Sequence, residues 1–109
     1  MNKNKKLIAT SFNICSSEHI TNIVDKLDSS IYATINYPNC IVTLAKTLSG
    51  ETINQSQIQV SFYHELAHSI FHNIGRNDLA EDETLVQMVG QALASFINTA
   101  EFKDVKELL

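Results

Sequence analysis

Five residues carry most of the chemistry this chain can offer: His64-Glu65-Leu66-Ala67-His68. Residues four apart share one face of an α-helix, so both imidazoles can reach a single Zn²⁺ at Zn–N distances of about 2.0–2.1 Å. Glu65 lies beside such an ion and can take a proton from zinc-bound water. The pattern predicts a zinc hydrolase. The plain alternative is two histidines on a solvated helix face.

A catalytic zinc usually has three protein ligands and a fourth position for water. The metzincin extension requires Gly and His where this chain has Phe71 and Ile74, so that class is excluded. His72 continues the four-residue series. Each such step moves about 6 Å along the helix and drifts about 40° around it, which puts His72 too far away. It is expected at the surface or behind the ligands. The better source is the run Glu81-Asp82-Glu83. Glu83 is the expected third ligand, because Val86, Val89 and Gly90 follow it on one inward stripe. Glu81 is the runner-up, or a capping-box partner of Asp78. All three could instead be solvated acids favouring a helix N-terminus. The expected site is therefore His64, His68 and Glu83 on Zn²⁺, with Glu65 as the catalytic base.

These residues need elements to hold them. From Gln55 to Ile74 there is no Gly or Pro, and Ile58, Phe62, Leu66 and Ile70 recur every four residues. This predicts a largely buried helix, stopped by Gly75. A second long helix follows the acids, with Leu85, Val86, Val89, Leu93, Phe96 and Ile97 as its apolar face, ending near Thr99. Gly90 in its middle costs about 1 kcal/mol against Ala, which close packing of the two helices would justify. Upstream, Ile31–Ile35 and Cys40–Ala45 are β-rich around a turn at Asn36-Tyr37-Pro38-Asn39, which predicts a hairpin. Ser16 or Ser17 suits an N-cap, and Ile20, Ile23, Val24 and Leu27 then predict a helix to about Asp28. Leu7–Ile14 reads as a short strand or extended lead-in, Lys46–Asn54 as a loop, and residues 1–6 as a loose tail. The class is α+β.

Composition sets bounds on function. At 109 residues the chain holds one domain and one core. A net charge of −4, with basic residues clustered only at Lys3, Lys5 and Lys6, argues against direct nucleic-acid binding. No segment approaches a membrane span of about 20 apolar residues. The start imitates a signal peptide, but Thr10, Ser11 and Asn13 interrupt its apolar run, so the expected location is cytoplasmic. Cys15 and Cys40 lack metal-site spacing and read as free buried thiols.

The segments Ser61–Ile70, Gly75, Glu81-Asp82-Glu83 and Val86 resemble the small phage-type members of the ImmA/IrrE-like metallopeptidases. Ile41–Ala45 sits where that family has its sheet. The architecture is also similar to that of minigluzincins. The resemblance covers about residues 30–97. It implies a single-domain zincin-like (gluzincin) fold: a small antiparallel sheet packed on an active-site helix, and a following helix with a Glu ligand. Larger relatives are linked to cleavage of repressors or antitoxins. The gap between motif and acids is shorter here than in those relatives, which leaves Glu81 and Glu83 both open.

The expected function is zinc-dependent peptide-bond hydrolysis, with a specific intracellular or phage-related protein or peptide as substrate. An oxyanion stabiliser is expected from Tyr32, Tyr37 or His72, whereas Tyr63 should point away from the site. A different class of function is a zinc-binding interaction module with little or no peptidase activity. A third is an enzyme held off by its own tail, Glu101–Leu109.

Overall fold

A computed structural model describes residues 5–28 and 30–109. Most of the expected loose tail, residues 1–4, lies outside the described residues, as does Ser29. Strands β1 (Ser11–Ile14), β2 (Ser17–Val24), β3 (Ala33–Asn36) and β4 (Ile41–Ala45) form one sheet in the order β1-β2-β4-β3. A two-stranded ribbon, β5 (Thr47–Leu48) and β6 (Glu51–Thr52), follows. Then come α1 (Gln55–Asn73), α2 (Asn77–Ala80), α3 (Glu83–Thr99) and α4 (Val105–Leu108). The class is α+β, as expected.

Three expectations need correction. The segment read as the first helix is strand β2. Its Ile20, Thr21, Ile23 and Val24 are β-branched and suit a pleated surface. It pairs with β1 on one side and β4 on the other, and that pairing overrides a short apolar repeat at helical spacing. The sheet is mixed, not antiparallel, because β2 and β4 run parallel, Ile20 opposite Ile41 through Val24 opposite Ala45. The predicted loop Lys46–Asn54 contains the β5–β6 ribbon, joined at Ser49-Gly50.

The β3–β4 hairpin forms as predicted, with Ala33 opposite Leu44 and Asn36 opposite Ile41. Strand β4 lies between β2 and β3, and its Val42 and Leu44 are fully buried against Phe62 and Tyr63 of α1 and Ala94 of α3. The predicted apolar face of α3 is largely kept: Val86 is buried with Gly90 and Ala94, and Leu85, Val89, Leu93 and Ile97 are half-buried, while Phe96 is exposed and meets Phe102 edge-on. Neither cysteine is buried as expected. Cys15 is exposed and Cys40 half-buried, each in a turn between strands with positive φ.

Helix α1 has defined ends. Asn54 Oδ1 accepts from Gln57 N–H at 2.8 Å, an N-cap. At the other end Gly75 takes φ +82. Its N–H donates to the His72 carbonyl and that of Arg76 to Phe71, the Schellman closure. Gly75 is thus the stop the sequence indicated.

Polar bonds reach far along the chain. Gln59 and Asn98 exchange two amide hydrogen bonds of 2.9 Å between α1 and α3. Gln59 and Tyr63 both donate to the Leu7 carbonyl, so Tyr63 does point away from the HExxH face. His19 of β2, 2% exposed, has Nδ1 at 2.9 Å from the Ser17 carbonyl and Nε2 at 2.6 Å from Ser69 Oγ. A carbonyl can only accept, so Nδ1 carries the proton and Nε2 accepts from the serine. Asn73 donates to the same Oγ. This network fixes the outer half of α1 to the sheet.

Candidate metal centre

His64 and His68 occupy successive turns of α1, and their rings meet edge-on with centroids 4.9 Å apart. Both Nε2 atoms face one carboxylate. Glu83 places Oε2 3.2 Å from His64 Nε2 and Oε1 3.1 Å from His68 Nε2. One donor atom from each of the three residues lies within 4.8 Å of the others.

Glu83 reaches this place because the three acids divide the work. Glu81 ends α2. Asp82 caps α3, its Oδ1 accepting from Leu85 N–H at 3.0 Å. Glu83 is then the first residue of α3, with its side chain free to turn toward α1. Asp78 pairs with Arg76 at 2.8 and 3.0 Å and not with Glu81, so the alternative of a capping box does not form. Among the described residues Glu81 is outside the metal-ligand group. His72 is outside it too, as helix geometry predicts.

The hydrogen bonds behind the imidazoles test whether a cation fits. His68 Nδ1 is 2.6 Å from the Ala80 carbonyl, and His64 Nδ1 is 2.9 Å from Gln87 Oε1. Both Nδ1 positions therefore donate. In a neutral ring that leaves a lone pair on each Nε2, directed at the Glu83 oxygens. With both rings neutral, two imidazole lone pairs and two carboxylate oxygens repel one another unless a cation lies among them. Their spacing agrees as well: ligands about 2.0 Å from a tetrahedral zinc stand about 3.3 Å from each other. Backing of ligand histidines by carbonyl or amide oxygen fixes tautomer and ring orientation. The residues fit a metal ion such as zinc.

Gln87 was missed by sequence reasoning. The available signal was its position one turn after Glu83 on α3, which places both on the side facing α1. Gln87→Leu should lower zinc affinity about tenfold or more, with no change in fold. Competition with a chromophoric chelator, read beside circular dichroism, measures this. Unchanged affinity would remove Gln87 from the site.

Glu65 lies on α1 between His64 and His68 and is 8% exposed. Burial pushes its carboxyl above the usual range and Glu83 adds to this, while His68 and His64 pull it down; the net direction is upward. It opens on a cleft of about 510 Å³, lined also by Ala33, Gln57, Ser61, Gln87 and Gln91. The wall at Ala33 belongs to β3, the terminal strand of the sheet. Among the described residues, none from 101–109 lines this cleft, and all nine are exposed, so the tail does not cover the site here.

Gly90 explains how α1 and α3 come so close. A Cβ there would lie 3.0 Å from both His64 Cα and His64 N, and 3.2 Å from the Tyr63 carbonyl carbon. The backbone of α3 thus rests directly on His64. No family model, curated protein or solved structure matches the chain.

Proposed function

We propose that this chain is a zinc-dependent metallopeptidase of the gluzincin type. The observation that carries the reading is the convergence of His64, His68 and Glu83 beside the buried Glu65, on a cleft bordered by a sheet edge. A zinc ion held by these three residues would polarise a scissile carbonyl and acidify water. The chain's own groups then move the protons. Glu65, whose proton affinity burial raises, accepts a proton from the attacking water and delivers it to the leaving amine. The outer edge of β3 offers main-chain hydrogen-bonding groups along which an extended peptide can lie.

The substrate class is a protein or peptide, and the ImmA/IrrE-like resemblance favours a specific intracellular or phage-related target. Two free thiols suit a reducing compartment such as the cytoplasm. No helix among the described residues is long and apolar enough to cross a membrane.

The test is metal-dependent cleavage. Native mass spectrometry should show one zinc per chain, and a diverse peptide library should be cut. Chelation should stop cleavage and added Zn²⁺ should restore it. Absence of bound zinc, or cleavage that survives chelation, would defeat the reading. Bound zinc without cleavage of any peptide would favour an interaction module instead.

A further inference from the structure

The cleft beside Glu65 carries more hydrogen-bonding capacity than proton transfer uses. Gln57, Ser61 and Glu65 line it from successive turns of α1, and Gln87 and Gln91 from successive turns of α3, each step about 6 Å along the axis. The two helices run antiparallel: Glu83 meets His68, Gly90 lies on His64, and Asn98 bonds to Gln59. Both polar stripes therefore lead away from Glu83 toward the same end. Val60 and Ala33 add apolar wall between them. A second cavity of about 350 Å³ shares Tyr32 and Gln57 with the first, so the groove continues past that end and a bound chain has a way out.

The existing bonds leave a defined remainder. His64 Nδ1 donates to Gln87 Oε1 at 2.9 Å, and Gln57 Nε2 donates to Ser61 Oγ at 3.0 Å. Among the described residues, the Gln87 NH₂, the Gln57 Oε1 and the whole Gln91 amide enter no hydrogen bond. The cleft thus offers donors and acceptors together. A primary amide, with two N–H groups and one carbonyl, is their complement. Charge is missing from the same list. Among the described residues no lysine or arginine lines the cleft, and its one carboxylate is Glu65, which the proton transfer occupies. An ionised side chain entering here loses water and gains no counter-ion, whereas a neutral amide regains its hydrogen bonds.

We propose that this cleft selects peptides carrying a glutamine beside the scissile bond, with Gln57, Gln87 and Gln91 as the specificity-determining residues. The two methylenes of the substrate side chain lie along Val60 and Ala33, and its amide meets the three unpaired amide groups. Asparagine brings the same amide on a shorter stem and ranks second. The inference rests on the metallopeptidase reading of the same site.

The experiment offers the zinc-loaded protein blocked peptide pools in which one position is fixed as Gln, Met, Glu or Lys and the others are mixed. Mass spectrometry follows cleavage and locates the bond cut; ligand-detected NMR follows binding. The Gln pool should be cut fastest. The apparent kcat/KM should be lower by about tenfold for Met, which keeps the length and loses the amide, and by about a hundredfold for Glu and Lys. Gln91 is exposed, so substitutions there leave the fold and zinc uptake intact. Gln91→Glu should raise the Lys pool relative to the Gln pool about fivefold, and Gln91→Met should narrow the preference for Gln over Met. Equal cleavage of the Gln and Met pools by wild type, or a Lys-to-Gln ratio unmoved by Gln91→Glu, overturns the selectivity and leaves the metallopeptidase reading standing. Preferential binding of the Gln pool with no pool cut supports the selectivity and defeats the peptidase reading. Neither binding nor cleavage of any pool overturns both.

Discussion

Glu65→Gln should cut peptide turnover by about 10²–10⁴-fold and leave zinc uptake at the wild-type level. The substitution preserves shape and volume in a position that is 8% exposed, so the packing of α1 has no reason to change. It also relieves the chain of a buried carboxylate that burial and Glu83 both oppose. Unfolding should therefore occur at the same temperature or higher. What disappears is the capacity to take a proton from water. Glu65 is not among the candidate metal-holding residues His64, His68 and Glu83, so zinc uptake should be unaffected. Parallel measurements of cleavage, zinc content and melting temperature separate these effects. Wild-type turnover in the variant would refute the mechanism, and loss of zinc would show that Glu65 belongs among the ligands.

The second large effect is expected at Gly90. A Cβ already meets the His64 backbone at 3.0 Å, and backbone cannot swing aside as a flexible side chain can. Gly90→Val adds two further carbons to that contact and should destabilise by about 3 kcal/mol or more. The usual margin of a domain is about 5–15 kcal/mol. The melting temperature should fall by about 10 °C or more. Any folded fraction should bind zinc weakly, since His64 is the residue displaced. Gly90→Ala is the informative smaller change. It recovers about 1 kcal/mol of helix propensity against a contact tighter than ordinary packing, so its loss should be slight in stability and visible in zinc affinity. Thermal melts with and without zinc test both. A Gly90→Val protein as stable as wild type would show that the two helices separate freely.

The readable parts of the sequence were those whose cause is local. Helix α1 declares itself through a four-residue apolar repeat and a glycine stop, and Gly75 ends it in the expected way. The β3–β4 hairpin follows from two β-branched runs around a short turn. Gly90 signals close approach because glycine in mid-helix is costly without a reason. Elements whose cause lies far along the chain were misread. The run Ile20–Val24 has its apolar residues at helical spacing but is β-branched in type; its pairing with β4, about twenty residues away, decides. The bond from His19 to Ser69 spans fifty positions, and that from Gln59 to Asn98 spans thirty-nine. Such pairs leave no periodic trace. The division of Glu81, Asp82 and Glu83 into helix end, cap and ligand candidate was half legible. The residue types indicated a helix start, but only the Asp82 cap at Leu85 fixes the register that turns Glu83 toward the imidazoles.

The two imidazoles are backed differently: one by the Gln87 side chain, the other by the Ala80 main chain. That difference makes the two imidazoles unequal in evolvability. A single codon change at position 87 can replace amide by carboxylate, hydroxyl or hydrocarbon, and so vary the basicity of His64 in small steps. No substitution at position 80 removes a carbonyl, so His68 can be retuned only by rebuilding the turn that presents it. Natural variation in metal affinity should therefore accumulate at Gln87, with the Gly75–Asp82 connection fixed in length. A library randomised at position 87 alone would sample a graded series of sites in an otherwise constant scaffold.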